Sequence, residues 1–285
     1  MSAPAVFIAG PASWNSIVVL DRLPEPTPHM QFAEASWKTL GGTSAGKALS
    51  LTSLATPVTL YALVGADDAG DRVRAALTAA GVDALWGPGE ETERHLNLMT
   101  RAGERVSLYL STPSAGDGAI PDEVRVAMAD ADVVVLDLAE EPRRLLPLAA
   151  GSGRPIWIDV HDYDGAAEYH RPFLAAADAV FCNADKLADP VDFLRSRVAA
   201  GASFAVCTLG ADGAVAVDAD GTLHRVPAVP VDVVDTNGAG DGFFAGVLAA
   251  RLGGASLAQA LRAGAHSASV SLGSRHLHPL LDAVL

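Results

Sequence analysis

Residues 234–246 read Val-Asp-Thr-Asn-Gly-Ala-Gly-Asp-Gly-Phe-Phe-Ala-Gly. Gly238, Gly240 and Gly242 fall within five residues, and an apolar run from Phe243 to Leu252 follows, closed by Gly253-Gly254. The pattern predicts a strand end, a tight glycine turn and a buried helix. Gly238 and Gly240 permit positive φ and a close approach of the backbone to a ligand. The first N–H groups of a helix lack intrahelical partners and carry the positive end of its dipole, so the turn suits an anion, a phosphate above all. Asp241 stands in that turn. A carboxylate is a poor ligand for a phosphate, because like charges repel. It is well placed as a base that takes the proton of a hydroxyl attacking that phosphate. Aspartate at a helix start is also a common cap, and on this stretch alone both readings stand.

The chain as a whole narrows the choice. Its 285 residues suffice for one large α/β domain or two smaller ones. Half are hydrophobic and few are aromatic, so the core is built of Ala, Val and Leu. A formal net charge of −14 argues against nucleic acid and anionic membrane as partners. No apolar run reaches the ~18 residues of a spanning helix. Met1 to Gly10 lacks a basic leader and reads as a first strand. Cys182 and Cys207, the two cysteines, lie in apolar runs and read as buried free thiols of a reducing compartment, hence a cytoplasmic location.

Around the glycine turn, strands and helices alternate. Short strands are predicted at Ala5–Ala9 and 17–20, with weak alternation over 31–40. Gly41-Gly42 opens a helix through Leu54, and 58–64, 133–138, 155–160, 179–183 and 204–209 read as apolar strands with helices at 71–80, 141–150 and 191–200 between them. Residues 92–111 alternate apolar and polar about Ala102-Gly103, a hairpin with one buried face. Continuous apolar strands alternating with helices imply a parallel sheet covered on both faces, whose ligands bind at the strands' carboxyl ends. Asp159, Asn183, Thr208-Leu209-Gly210 and Asp235-Thr236 fall at such ends and are expected to converge on one cleft.

The string Asp235-Thr236-Asn237-Gly238-Ala239-Gly240-Asp241 resembles the D-T-x-G-A-G-D signature of the ribokinase family, the PfkB-type carbohydrate kinases. Arg22-Leu23-Pro24, the double glycine Gly41-Gly42, Val64 to Gly70 and Thr208 to Gly213 resemble further motifs of that family in the same order. The resemblance implies a single kinase domain over 1–285, a three-layer α/β/α fold with a mostly parallel sheet and a small β lid made by segments near 12–38 and 92–112. It implies ATP-dependent phosphorylation of a hydroxyl on a small sugar or sugar derivative, with Mg2+ on the phosphates and activation by a monovalent cation such as K+ near Asp235-Thr236. By resemblance Asp241 is the base, and Gly238, Ala239 and Gly240 hold the transferring phosphoryl group. Thr208, Gly210, Gly213, Asn183, Lys186 and Thr236 face the nucleotide. The helix 256–272, with His266, flanks the adenine, although His266 reads as a packed or surface side chain rather than a catalyst. Asn15, Gly41, Gly42 and Gly46 line the acceptor pocket with Asp241. A homodimer paired through the lid is implied as well.

The chain departs from the pattern at three places. Asn15 stands where the family has an aspartate for the substrate hydroxyls. Gly46, followed by Lys47, replaces an asparagine. Asn183-Ala184-Asp185-Lys186 puts lysine where a glutamate organises Mg2+, leaving Asp185 as substitute ligand or Lys186 as a phosphate contact. The first two argue against ribose or fructose in the family's usual pose. A nucleoside kinase of the same fold, with Trp14 or Trp37 stacking on the base, and a catalytically weak nucleotide- or sugar-binding homologue stay open as alternatives.

Overall fold

Val6–Ala9, four consecutive buried residues, form β1 near the middle of the main sheet. The structure is a computed structural model describing residues 4–114, 116 and 118–285, so Met1 to Ala3 of the expected N-terminal segment lie outside the described residues. After β1 come β2 (Ser13–Leu20), β3 (Ala35–Gly41), α1 (Thr43–Ser53), β4 (Val58–Val64), α2 (Asp68–Ala79) and β5 (Asp83–Pro88). Then follow β6 (Arg94–Thr100), β7 (Arg105–Ser111), α3 (Asp122–Asp130), β8 (Val133–Leu136), α4 (Glu140–Ser152) and β9 (Ile156–Asp159). The chain continues with α5 (Arg171–Ala176), β10 (Ala179–Asn183), α6 (Pro190–Ala199), β11 (Phe204–Thr208), β12 (Ala214–Asp218), β13 (Leu223–Val226), α7 (Ala239–Leu252) and α8 (Leu257–Leu272).

Nine strands form one sheet in the order β13-β12-β11-β10-β9-β8-β1-β4-β5. From β11 to β5 neighbouring strands pair parallel, while β12 and β13 return antiparallel at the edge. β1, β4, β8 and β9 are buried on both faces, hence their unbroken apolar character. Alternate residues feed two cores. Ile8, Leu60, Val135 and Phe181 meet α1, α2, α7 and α8 on one face. Phe7, Val134, Ile158 and Val180 meet α3, α4, α5 and α6 on the other.

The remaining strands make a separate sheet in the order β3-β2-β6-β7. β2 runs antiparallel to β3 and parallel to β6, and β6 and β7 are the expected hairpin. The stretch before the glycine turn corrects the expectation of a strand. Residues 229–234 belong to no sheet, Val233 and Val234 are exposed, and Val234 is tied only through its N–H to the Leu272 carbonyl. β13 is the edge strand of the main sheet there, and this segment does not add to its outer edge.

Candidate active site

Gly238 caps α7 with φ 80°, the left-handed conformation that glycine adopts without strain. Its Cα also lies against the Leu277 carbonyl, which an added Cβ would approach to 2.5 Å. The first intrahelical bond runs from the Gly242 N–H to the Gly238 carbonyl, 2.8 Å. The N–H groups of Ala239, Gly240 and Asp241 thus stand ahead of the ladder. α2, α6 and α8 begin with side-chain caps from Asp67, Asp189 and Ser256, whereas α7 has none. The start of α7 is therefore open to a ligand, with the dipole's positive end behind it.

A cavity of about 600 Å3 opens above this turn, at the carboxyl ends of the parallel strands. Its floor includes Gly10 and Pro11 after β1, Leu138 after β8, His161 and Asp162 after β9, and Asn183 at the end of β10. The small sheet supplies the opposite wall through Asn15, Ile17, Thr39, Glu93, His95, Asn97 and Arg105. Gly238, Asp235, Asn237 and Asp241 line it from the turn.

Several sequence-predicted residues meet here. Asn15 is buried; its Oδ1 accepts from the His95 N–H at 3.2 Å. Its amide nitrogen packs over Gly41, where an added Cβ would lie 2.0 Å away, so Gly41 must lack a side chain. Gly42 has φ 96° and passes the Pro11 carbonyl so closely that a Cβ would come within 2.4 Å. The double glycine thus seats α1 against the turn after β1. Asn183 and Asp185 line the cavity.

Other candidates lie beyond the cavity wall. Gly46 is buried under Asp241. Thr208 pairs across from Asn183 in β10–β11, beside the cavity. Gly210 has open space around its Cα, and Gly213, φ 89°, is pressed against the Val226 carbonyl, which gives that glycine a structural reason. Thr236 and His266 are exposed. Lys186 forms an ion pair with Asp162 at 2.6 Å, and this pair holds its ammonium charged.

The fit of Mg2+ can be read from the donors present. Asp162, Asn183 and Asp185 bring hard oxygen donors to one side of the cavity, while no cluster of three His, Cys, Asp or Glu side chains forms a metal cage among the described residues. That set fits a cation that keeps much of its water and rides on substrate phosphates.

Burial dominates the electrostatics. It pushes the Asp241 carboxyl up to about 6, against the pull of Lys47, and it raises Asp235 as well, against hydrogen bonds from Asn237. Lys47 is fully buried, 3.0 Å from Asp241 Oδ1 and 2.9 Å from Asp137 Oδ1. Burial draws its ammonium toward neutrality, but Asp137, Asp241 and Asp159 more than offset that and hold it protonated. Sequence reading missed Lys47 and Asp137 as site residues, along with the small sheet's Glu93, His95, Asn97 and Arg105. Alternation in 92–111 marked a buried face, and the polar members of that face were the available signal.

The pfkB family carbohydrate kinases match residues 21–282. The chain belongs to the PfkB family. Within it, the chain is 31% identical over 267 residues to the acarbose 7(IV)-phosphotransferase of Actinoplanes sp., covering 91% of this chain and 89% of that protein. The structure of a microbiome-derived acarbose kinase superposes with a TM-score of 0.82 at 29% identity, over 96% of this chain and 94% of that one. Arabidopsis thaliana ribokinase, solved with ribose and ATP, superposes with a TM-score of 0.81 at 22% identity, covering 98% and 96%, and shows the shared fold. The ribokinase-like architecture and the carbohydrate-kinase class expected from the motifs are therefore those of this PfkB chain.

Proposed function

We propose that this PfkB kinase moves the γ-phosphoryl group of ATP to a hydroxyl of a sugar derivative larger than one sugar ring. The observation that carries the reading is the placement of Asp241 and the uncapped start of α7 at the base of a cavity walled by polar side chains. The N–H groups of Ala239, Gly240 and Asp241 hold charge developing on the phosphoryl oxygens, a preorganised electrostatic contribution. Asp241 accepts the proton of the attacking hydroxyl. Asp185 would help hold Mg2+ arriving with ATP, and the ion would supply charge neutralisation on the phosphates. Asn183 and the turn at Thr208-Leu209-Gly210 direct the nucleotide to the same strand ends.

The acceptor lies under the small sheet, which serves as a lid and keeps water from competing as acceptor. Asn97 Oδ1 lies buried in this wall without a hydrogen-bond partner, an acceptor for a substrate hydroxyl. Asn15, Thr39, Glu93 and His95 add polar groups that suit a polyhydroxylated ligand. The cavity's volume and the two acarbose-phosphorylating relatives favour an extended glycoside over a free pentose. Trp14 and Trp37 are not among the residues of the wall, which disfavours the stacking expected for a nucleoside.

The test is ADP release against a panel of oligosaccharides, pseudo-oligosaccharides, monosaccharides and nucleosides, with Asp241→Asn as control. Turnover on glycosides, lower by ~10²–10⁴-fold in the control, is expected. A control as active as the parent would remove Asp241 from the chemistry, and turnover confined to nucleosides would overturn the acceptor class.

A further inference from the structure

Lys47 has no exposed surface, yet it is one ammonium among three carboxylates. Its Nζ lies 2.9 Å from Asp137 Oδ1, 3.0 Å from Asp241 Oδ1 and 3.4 Å from Asp159 Oδ2. Ser44, one turn earlier on α1, donates to Asp137 Oδ2 at 2.6 Å, and Phe244 lies under the ammonium with its ring centre at 5.1 Å. A lysine is buried only when paired, and the pairing here comes from the three carboxylates, with the Phe244 ring beneath.

The residue before it completes the arrangement. Gly46 sits in the first turn of α1 without a positive φ, so its backbone does not demand glycine. Asp241 demands it: a Cβ at position 46 would lie 2.6 Å from Asp241 Oδ2 and 3.0 Å from both its Cβ and Cγ. Two consecutive residues of α1 therefore enclose the carboxylate of a residue on α7. One makes room beneath Oδ2, and the other grips Oδ1.

We propose that Gly46 and Lys47 form a two-residue seat for Asp241, with Lys47 the positioning residue that holds Oδ1 so that Oδ2 receives the proton. This rests on Asp241 being the base. In that step the acceptor's O–H proton passes to Asp241 Oδ2 while its oxygen bonds the γ-phosphorus. The bond from phosphorus to the β,γ-bridging oxygen breaks, ADP leaves with the electron pair, and Asp241 later releases the proton to solvent. The titratable groups facing Asp241 are Lys47 from α1, Asp137 after β8, Asp159 at the end of β9 and His161 just beyond it. The departure at Gly46 and the lysine that follows it, which a reading of α1 as acceptor wall leaves unrelated, become one device.

The experiment compares Gly46→Ala with the double variant Lys47→Met/Asp137→Asn, each assayed for kcat, KM, pH profile and the rise in Tm on adding ATP. Alanine is the better helix former, so Gly46→Ala does not endanger α1. The double variant keeps the cluster's net charge at two negative while removing the grip. Both are expected to keep the ATP-induced rise in Tm and the KM for ATP and to lose about 10²-fold in kcat, the cost of a misplaced group. The acid limb of the rate moves upward in the double variant only, because Lys47 lowers the Asp241 carboxyl more than Asp137 raises it, and Gly46→Ala removes neither. Placed on Asp241→Asn, Gly46→Ala costs nothing further. Parental kcat in Gly46→Ala, or loss of kcat together with ATP binding, overturns the seat. Should the double variant not fold, Gly46→Ala and its combination with Asp241→Asn decide alone. A fully active Asp241→Asn would instead overturn the base reading, a separate result.

Discussion

Arg105, on the edge strand of the small sheet, donates from Nη1 to Asn237 Oδ1 at 2.8 Å. Asn237 in turn donates its backbone N–H and its side-chain amide to Asp235 Oδ1, each at 2.8 Å. A single chain of hydrogen bonds thus ties the small sheet to the loop that leads into the start of α7. All three residues line the cavity.

Arg105→Leu should therefore act on catalysis more than on the fold. The bond is exposed, and exposed polar ties contribute about 0–1 kcal/mol to stability. With the sheet no longer registered on the turn, kcat/KM for the acceptor is expected to fall about tenfold, ~1.4 kcal/mol of transition-state stabilisation. Arg101→Ala is the control, since Arg101 pairs with Glu34 at 2.6 Å on the open surface, away from the cavity. Equal effects of the two substitutions on kcat/KM would show that the Arg105–Asn237 tie carries no special role.

Asp241 brings a pH dependence in two opposite senses. Its carboxyl is pushed up to about 6, chiefly by burial. The base works ionised, so kcat/KM should drop about tenfold per pH unit below that value. Stability runs the other way. The folded pKa lies above the unfolded one, so the group's favourable contribution is complete below about 4 and is lost as pH rises through about 6. Asp241→Asn removes that penalty and is expected to be more stable than the parent at pH 8, by on the order of 2 kcal/mol, with the difference gone near pH 4. Thermal melts across pH 4–8 read this directly. A variant less stable than the parent at pH 8 would show that the bond to Lys47 outweighs the desolvation.

The sheet and the glycine turn that starts α7 were legible because their signals are local. Four or five apolar residues between turns mark β1, β9 or β10, and the glycine turn carries its chemistry within five positions. Lys47 was illegible because its partners lie 90 and 194 residues away and only the sheet's topology brings them together. β5 escaped for another reason. It was not among the predicted strands, and its Gly87 and Pro88 are held extended by pairing with β4 along one edge. Val234 misled in the opposite direction: the strand end expected before the glycine turn is exposed and joins no sheet.

Lys186→Glu tests how metal is handled. Lys186 and Asp162 pair at 2.6 Å while more than half exposed, so breaking the pair should change stability by no more than about 1 kcal/mol. A carboxylate at 186 stands beside Asp185 and frees Asp162, adding oxygen donors where ATP brings Mg2+. The Mg2+ concentration for half-maximal rate is expected to fall several-fold, with maximal rate unchanged or higher. A rise in that concentration, or a collapse of ATP affinity, would indicate that Lys186 itself binds phosphate.

Gly238 and Gly240 should answer alanine differently, although both belong to the same turn. At Gly238 the backbone is left-handed, φ 80°, and a Cβ would come within 2.5 Å of the Leu277 carbonyl. Left-handed backbone costs an alanine about 1–2 kcal/mol before the clash is added, so Gly238→Ala should lose on the order of 2–4 kcal/mol of stability along with activity. At Gly240 the backbone is helical and a Cβ would meet no atom within 4 Å. Gly240→Ala should therefore melt at or above the parental temperature, since alanine is the better helix residue. Its methyl would stand in open space beside the start of α7, and if that start is the proposed phosphoryl cradle, kcat should fall by at least ~10²-fold, the scale of losing one preorganised donor. Paired measurements of Tm and kcat separate the two glycines. A Gly240→Ala variant with parental kcat would mean that the start of α7 is not the phosphoryl cradle.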